Sequence, residues 1–425
     1  MTDHEFNRRI DAIWRMESAR VIATLARMLR DIGLAEDIAQ DALISALEKW
    51  PADGIPDKPG AWLMTTARRK AIDRIRHGQM AELKHVQIAH ELEDVQQERF
   101  DAEQAGLDDP IGDDLLRLVF VACHPLLSPE ARVALTLRLL GGLSTAEIAR
   151  AFLAQEPTIA QRIVRAKRSL AEADVAFEVP RGQALQQRLA SVLEVIYLIF
   201  NEGYSATAGD DWLRPALCEE ALRLGRILVG LMPAEDEVHG LVALMEIQAS
   251  RSHARTAADG SPVLLLEQDR SRWDRLLVRR GLAALEQAER IATARGIERG
   301  PYALQAAIAA CHARAVTAQD TDWGAIAALY ADLARQVPSP VVELNRAVAI
   351  AMHAGPEAGL AHAETIAGAP ALKHYHLLPS VRGDLLFLLG RHAEAREEFR
   401  RAATLTRNER ERTLLLERAS RCTPS

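Results

Sequence analysis

The 425-residue chain has few aromatic side chains: six Trp, five Tyr and eight Phe make up 4% of it. Val-Ile-Thr alternation is equally scarce, which leaves sheet folds without a basis in the pattern. Only four cysteines occur, Cys123, Cys218, Cys311 and Cys422, with no C-x-x-C pair and no paired histidines nearby. That spacing excludes a disulfide framework and a Cys/His zinc site, and predicts inert thiols in a reducing cytoplasm. Long hydrophobic runs are missing too. The longest, "ASVLEVIYLIF", is 11 residues and is interrupted by Glu194, too short for a membrane span. The first twenty residues hold no apolar core of the kind a signal peptide needs, so the expected location is the cytoplasm. There is no Ser-His-Asp set, phosphate loop, H-E-x-x-H or supported carboxylate pair, so the expectation is a non-enzyme with no cofactor and no metal. His374 and His376 in "HYH" read as a surface turn, because positions i and i+2 do not share a helix face.

What the chain does have is Ala, Leu, Arg and Glu in abundance, with 48% apolar and 26% charged residues. This is the composition of a soluble all-α protein, long enough for two to four domains. The net charge of −7 is unevenly spread. Residues 91–114 hold ten acids against one base, so the remainder is slightly basic. Segregation of this kind says more about partners than the total does.

Breakers divide the chain. "PADGIPDKPG" at 51–60 is a loop, the acidic stretch 91–112 reads as a flexible linker, and "EVPRG" at 178–182 is a second boundary. Helical periodicity resumes at Asp113, runs to about 172, and continues from 180 to the C-terminus. In the last third, breakers at Asp320, Gly355 and Gly390 each come 35 residues after the last and precede alanine-rich helices. That period is close to the tetratricopeptide length of two helices per unit. Gly390, Ala395, Phe399 and Ala402 fit such a unit best. Leu360 and Glu364 stand where Ala and an aromatic are expected, and a generic helical bundle is the alternative.

Two segments carry nucleic-acid chemistry. In "GAWLMTTARRKAIDRIRHG", residues 60–78, the helical period collects Leu63, Met64, Ala67, Ala71 and Ile75 on one side. Trp62, Thr65, Arg69 and Arg76 gather on the other, and Arg68, Lys70 and Arg74 add charge against a single acid, Asp73. An aromatic ring beside guanidinium groups can stack on unpaired bases while the cations hold phosphates; a solvated face with Trp62 tucked inward is the plainer alternative. In "LSTAEIARAFLAQEPTIAQRIVRAKRSL", residues 143–170, Ser144 or Thr145 caps a helix with Glu147 near its start. A second helix begins around Pro157 or Thr158. It exposes Thr158, Gln161, Arg162, Arg165, Lys167 and Arg168 and buries Ile159, Ile163, Ala166 and Leu170. This is the form of a helix-turn-helix reader of the major groove.

Taken in order, residues 1–172 resemble the sigma factors of bacterial RNA polymerase, specifically the short extracytoplasmic-function (ECF) type. "AEDIAQDALISALEKW", residues 35–50, is similar to the helix that those proteins lay against the clamp helices of the polymerase core. The resemblance implies that Asp37, Gln40 and Asp41 face the polymerase. It implies that Trp62, Thr65, Arg68, Arg69, Lys70, Arg74 and Arg76 hold the melted single strand at the −10 element. Thr158, Gln161, Arg162, Arg165, Lys167 and Arg168 would then read the −35 duplex. Leu153 and Pro157 depart from the usual turn, where family members have Gly and a small residue.

The implied domains are a region 2 bundle at 1–90, the linker at 91–112 and region 4 at 113–175. A helical extension follows at 180–300, then tetratricopeptide-like repeats with a cap helix at 301–421. The extension resembles that of one group of these proteins, which carries a segment like "IYLIFNEGYSATAGDDW". There Asn201, Glu202, Tyr204, Asp210, Asp211 and Trp212 form a candidate regulatory cluster; alternatively, the aromatics pack helices and the acids cap the next one. The stacked helices offer a surface for a protein or peptide partner. Competing readings are a repeat-type scaffold and a helix-turn-helix repressor not associated with polymerase.

Overall fold

The computed structural model describes residues 3–82, 110–152, 154–204, 214–257, 263–406 and 409–422. Among these every extended element is an α-helix, and the chain divides into two compact units, Met1–Ile196 and Tyr197–Ser425. The linker residues 91–109, together with Leu153, Asp210, Asp211 and Trp212, lie outside the described residues.

The first unit opens with α1 (Asp3–Leu29), α2 (Ile32–Asp53) and α3 (Pro59–Glu82), which pack on one another. Ala35, Ala39, Ala42 and Ala46 form the buried stripe of α2, small enough for α1 to lie close, while Leu63, Ala67 and Ala71 are the buried stripe of α3. Asp31 caps α2 by accepting from the Leu34 amide at 3.0 Å. The helix runs through Pro51, expected to begin the loop, and ends at Gly54. Proline removes one donor, but in a last turn the cost is small, and the Gly54 amide still donates to the Trp50 carbonyl at 2.9 Å.

α4 (Pro110–Ala122) starts three residues before the expected resumption at Asp113 and packs on α1; proline suits a first helical turn. α5 (Pro129–Leu139), α6 (Thr145–Ala151) and α7 (Glu156–Glu172) follow. The next helix, α8 (Gly182–Tyr204), is bonded into this unit along its first part. Arg132 of α5 pairs with Glu194 at 2.8 Å, the Ser191 hydroxyl donates to the Cys123 carbonyl at 2.6 Å, and Arg188 donates to the Phe120 carbonyl at 2.9 Å.

The second unit continues from the end of α8 through α9 (Pro215–Leu231), α10 (Asp236–Ala249), α11 (Arg275–Arg295), α12 (Pro301–Arg314) and α13 (Trp323–Gln336). It finishes with α14 (Pro340–Ala354), α15 (Pro356–Ile366), α16 (Leu377–Leu388), α17 (His392–Leu405) and α18 (Glu409–Arg421). Consecutive helices pack against each other, and α10 packs on both α11 and α12. One core joins Ala243, Leu244 and Ile247 to Leu285 and to Ala306 and Ala310. Packing is therefore continuous across 300/301, where a division was expected.

At the end of the chain Ala395, Phe399 and Ala402, the residues that fit such a unit best, are buried. In α15 the small residues are offset by one position from the expected spacing. Gly359 and Ala363, rather than Leu360 and Glu364, form the small face of α15, and a Cβ on Gly359 would stand 2.4 Å from that of Ala351. His374 and Tyr375 lie in a turn as expected, and the His376 ring bonds Glu411 at 2.9 Å.

Candidate functional site

On α3, Thr65, Arg69, Arg74 and Arg76 are exposed, while Arg68 and Lys70 are half-buried. The Thr65 hydroxyl donates to the Ala61 carbonyl at 2.9 Å, which turns it back along the helix. Trp62 does not project freely. It is half-buried and meets the buried Trp50 edge-on, with ring centroids 5.3 Å apart, so one side is fixed by α2 and the rest borders the cationic face.

On α2, Asp37 and Asp41 are exposed as expected. Gln40 differs: its amide donates to the Glu36 carboxylate at 2.7 Å, so it serves an internal network. Beside the two aspartates, Ile44 and Leu47 are 51% and 42% exposed. Their apolar exposure could have been read from the helical period, since 37, 40, 41, 44 and 47 fall on one side of the helix.

The helix-turn-helix is built as its caps suggest. Ser144 and Glu147 form a complete capping box on α6, and Ile159, Ile163, Ala166 and Leu170 are buried along α7. α7 begins at Glu156, one residue before Pro157, which takes a first-turn position where its missing N–H is not needed. Thr158, Gln161, Arg162 and Arg165 line one shallow groove of about 340 Å³ with Leu126, Ser128 and Ala131. Arg168 is exposed and paired with Glu172 at 2.6 Å.

Lys167 does not belong to that surface. At about 100° per residue it stands roughly 120° around the helix from Gln161, and it is ion-paired to Glu36 of α2. Glu36, 3% exposed, also accepts from Arg138 of α5 at 2.5 Å. Two further ties cross the same seam. Arg27 of α1 reaches Asp114 of α4 at 2.9 Å, with Arg117 on the other oxygen at 2.7 Å, and Arg15 pairs with Glu147. Burial pushes the Asp114 carboxyl above its usual range in spite of the two arginines. Burial acts the same way on Glu147, but the Ser144 hydrogen bonds and Arg15 outweigh it and hold that carboxyl low. Gly142, with φ 66°, lets the chain pass close: a Cβ there would be 2.9 Å from the Ser18 hydroxyl and 3.3 Å from the Arg15 Cα. Of these seam residues the sequence singles out only Lys167, as a DNA contact, and Glu147, as part of a helix cap; it does not foretell their ties to Glu36 and Arg15.

In the second unit Asn201 is exposed and Glu202 is ion-paired to Arg214. Tyr204 is buried, stacked on Phe200 at 5.5 Å and covered by the Arg255 guanidinium 3.7 Å from its ring centre. It packs helices, as the plainer alternative expected.

Known proteins match in the same places. Residues 13–80 match the model of Sigma-70 region 2 and residues 117–170 that of Sigma-70 region 4. The ECF RNA polymerase sigma factor SigK of Mycobacterium ulcerans is 32% identical over 155 residues, 36% of this chain and 78% of its own length. The chain belongs to the ECF sigma factors. The probable ECF sigma factor SigI of Mycobacterium tuberculosis is 30% identical over 176 residues, 41% of this chain, and the match spans 58% of SigI. An uncharacterized protein of Rhizobium meliloti is 44% identical over 390 residues, 92% of this chain and 90% of its own. Residues 188–289 match a family of unknown function, DUF6596. No solved structure matches. For this ECF sigma factor, region 2 followed by region 4 displaces the scaffold and repressor readings. No helix among the described residues is long and apolar enough to cross a membrane.

Proposed function

We propose that this ECF sigma factor brings core RNA polymerase to promoters in the cytoplasm as a non-enzymatic initiation factor. The observation that carries the reading is the pair of cationic helices, α3 and α7, set in matched sigma regions on one unit with α2. Asp37 and Asp41 with exposed Ile44 and Leu47 suit docking on the polymerase clamp helices, through charge at the rim and apolar contact at the centre. Arg69, Arg74 and Arg76 hold the backbone of the melted −10 strand beside Trp62, and Thr158, Gln161, Arg162 and Arg165 enter the −35 major groove. The acidic linker, residues 91–109, travels through a basic channel of the polymerase.

The ties at Glu36, Asp114 and Glu147 hold regions 2 and 4 together in this unit. Two promoter elements separated along a duplex that rises about 3.4 Å per base pair call for the regions to part. The seam is therefore a resting form, and polymerase binding opens it. The helical extension regulates this opening through α8, whose first part is bonded to α4 and α5. Its stacked helices supply a surface for a protein or peptide partner.

Co-purification of the full-length chain with bacterial core polymerase at moderate salt tests the reading. Binding that is lost with Asp37→Lys/Asp41→Lys supports it; absence of binding at every salt concentration overturns it.

A further inference from the structure

A polar cluster inside the second unit gathers two guanidinium groups whose acceptors are all neutral. The Arg251 guanidinium lies between Tyr204 and Trp273, 5.7 and 5.8 Å from their ring centres; its Nε donates to the Tyr204 hydroxyl at 3.1 Å, and its Nη2 donates to that hydroxyl and to the Gln248 side-chain carbonyl. Arg270 lies over Trp273 at 5.2 Å; it donates through Nη1 to the carbonyls of His312 and Ala315 at 2.5 and 2.8 Å and through Nη2 to the Thr321 hydroxyl at 3.0 Å. Among the described residues neither guanidinium has a carboxylate at ion-pair distance. The acid that Arg270 feels, exposed Asp320, has its carboxylate engaged by the Thr317 amide and hydroxyl.

Three buried nitrogens here have no hydrogen-bond partner among the described residues: the indole N–H of Trp273, Nε of Arg270 and Nδ1 of His312. Trp273 and His312 are 4% and 8% exposed. Burial, with Arg251 and Arg270 adding repulsion, pushes His312 down to about 4, so it contributes no charge at neutral pH. Tyr330, within the field of Arg251 and Tyr197, is pushed up to about 12 by burial and keeps its proton.

Buried donors without acceptors are costly, and clustered guanidinium charge without a counter-charge more so. Water would satisfy the N–H groups but not the charge; an oxyanion satisfies both. The flat guanidinium fork matches a carboxylate, and the half-buried rings of Tyr197 and Tyr330 suit a flat apolar body. We propose that Arg251, Arg270, Trp273 and His312 form a binding site for a small aromatic carboxylate. The site lies wholly within Tyr197–Ser425 and goes beyond the promoter function, standing or falling without it.

Benzoate, titrated into the full-length chain by calorimetry, is the probe. Saturable binding is expected with a dissociation constant on the order of 1 mM, reasonable for so small a ligand. Arg251→Gln should weaken it about tenfold, whereas Arg279→Gln, a change at an exposed arginine of α11, should not move it. Trp273→Phe keeps the ring and removes the N–H, so it should also weaken binding and covers the case in which Arg251→Gln fails to fold. The proposal is overturned by a flat titration, by benzyl alcohol binding as well as benzoate, or by acetate and inorganic phosphate binding equally well. Affinity for benzoate unchanged in both folded variants also overturns it.

Discussion

Glu36 of α2 and Lys167 of α7 are ion-paired, with Arg138 on the second side of the same buried carboxylate. Each cation retains partial contact with solvent, so the pair is worth less than a fully buried one. Replacing Glu36 by Gln keeps the shape and leaves two cations facing a neutral amide. The expected loss is about 1–3 kcal/mol in urea unfolding of the first unit. If the seam is the resting form, polymerase affinity should rise in the same variant while stability falls. A double-mutant cycle with Lys167→Met separates that pair from the Arg138 contact. Stability loss with unchanged polymerase affinity would reduce the seam to packing.

Opposite pH responses are expected at the two other ties. The Glu147 carboxyl is held below its ordinary value of 4.5, so its stabilisation is present above that pH and is lost as pH falls through the depressed value. Asp114 is raised above 3.8 by burial, so its contribution is present below that pH and is lost as pH rises through the elevated value. Thermal unfolding from pH 6 to pH 3 should therefore show a Glu147-dependent decline that Glu147→Gln removes. Asp114→Asn should flatten a change of the opposite sign.

α8 is a load on region 4 as well as the start of the extension. Truncation after residue 176 removes Arg188, Ser191 and Glu194, leaving Arg132, buried in α5, without either partner. An uncompensated buried guanidinium costs about 3 kcal/mol. A 1–176 fragment should unfold at markedly lower urea than a 1–204 fragment, and Arg132→Met should recover part of the difference.

The thiols provide a direct check on the burial pattern. Burial pushes Cys123 up to about 11 and Cys218 up to about 12, so neither forms thiolate at neutral pH. A thiol reagent at pH 7.5 should leave both unlabelled in the native chain and label both in urea. Fast native labelling of Cys123 would mean that the α4–α5–α8 packing opens readily.

Local pattern made the helix-turn-helix of α6 and α7 legible. The stripe of Ile159, Ile163, Ala166 and Leu170 and the Ser144–Glu147 box are set by neighbours within one or two turns. The seam was not legible, because Glu36 meets Arg138 across 102 residues and no period links them. For the same reason Lys167 read as one more cation of an exposed set, although its angular position alone separates it from Gln161. Trp62 needed Trp50 for its orientation, and the α15 register needed the facing Ala351 to show that Gly359 and Ala363 are the small residues. Short-range caps and faces are written in sequence, whereas the partner of a buried charge is fixed by tertiary packing.

That distinction gives the sharpest test of the proposed DNA-reading surface. Gln161 and Arg165 share the groove with Ser128, and Lys167 turns away from it toward α2. With polymerase present, Arg165→Ala should weaken binding to all promoter variants alike and reduce the salt slope by about one, the signature of a lost phosphate contact. Gln161→Ala should cost about 1–3 kcal/mol on the preferred −35 sequence and much less on a sequence changed at one base pair, because a lost base contact relaxes specificity. Lys167→Met should leave both the salt slope and the base preference intact and should raise polymerase occupancy by loosening the Glu36 tie. If Lys167→Met instead behaves like Arg165→Ala, region 4 turns this face to DNA once it leaves region 2, and the two surfaces of α7 are used in succession.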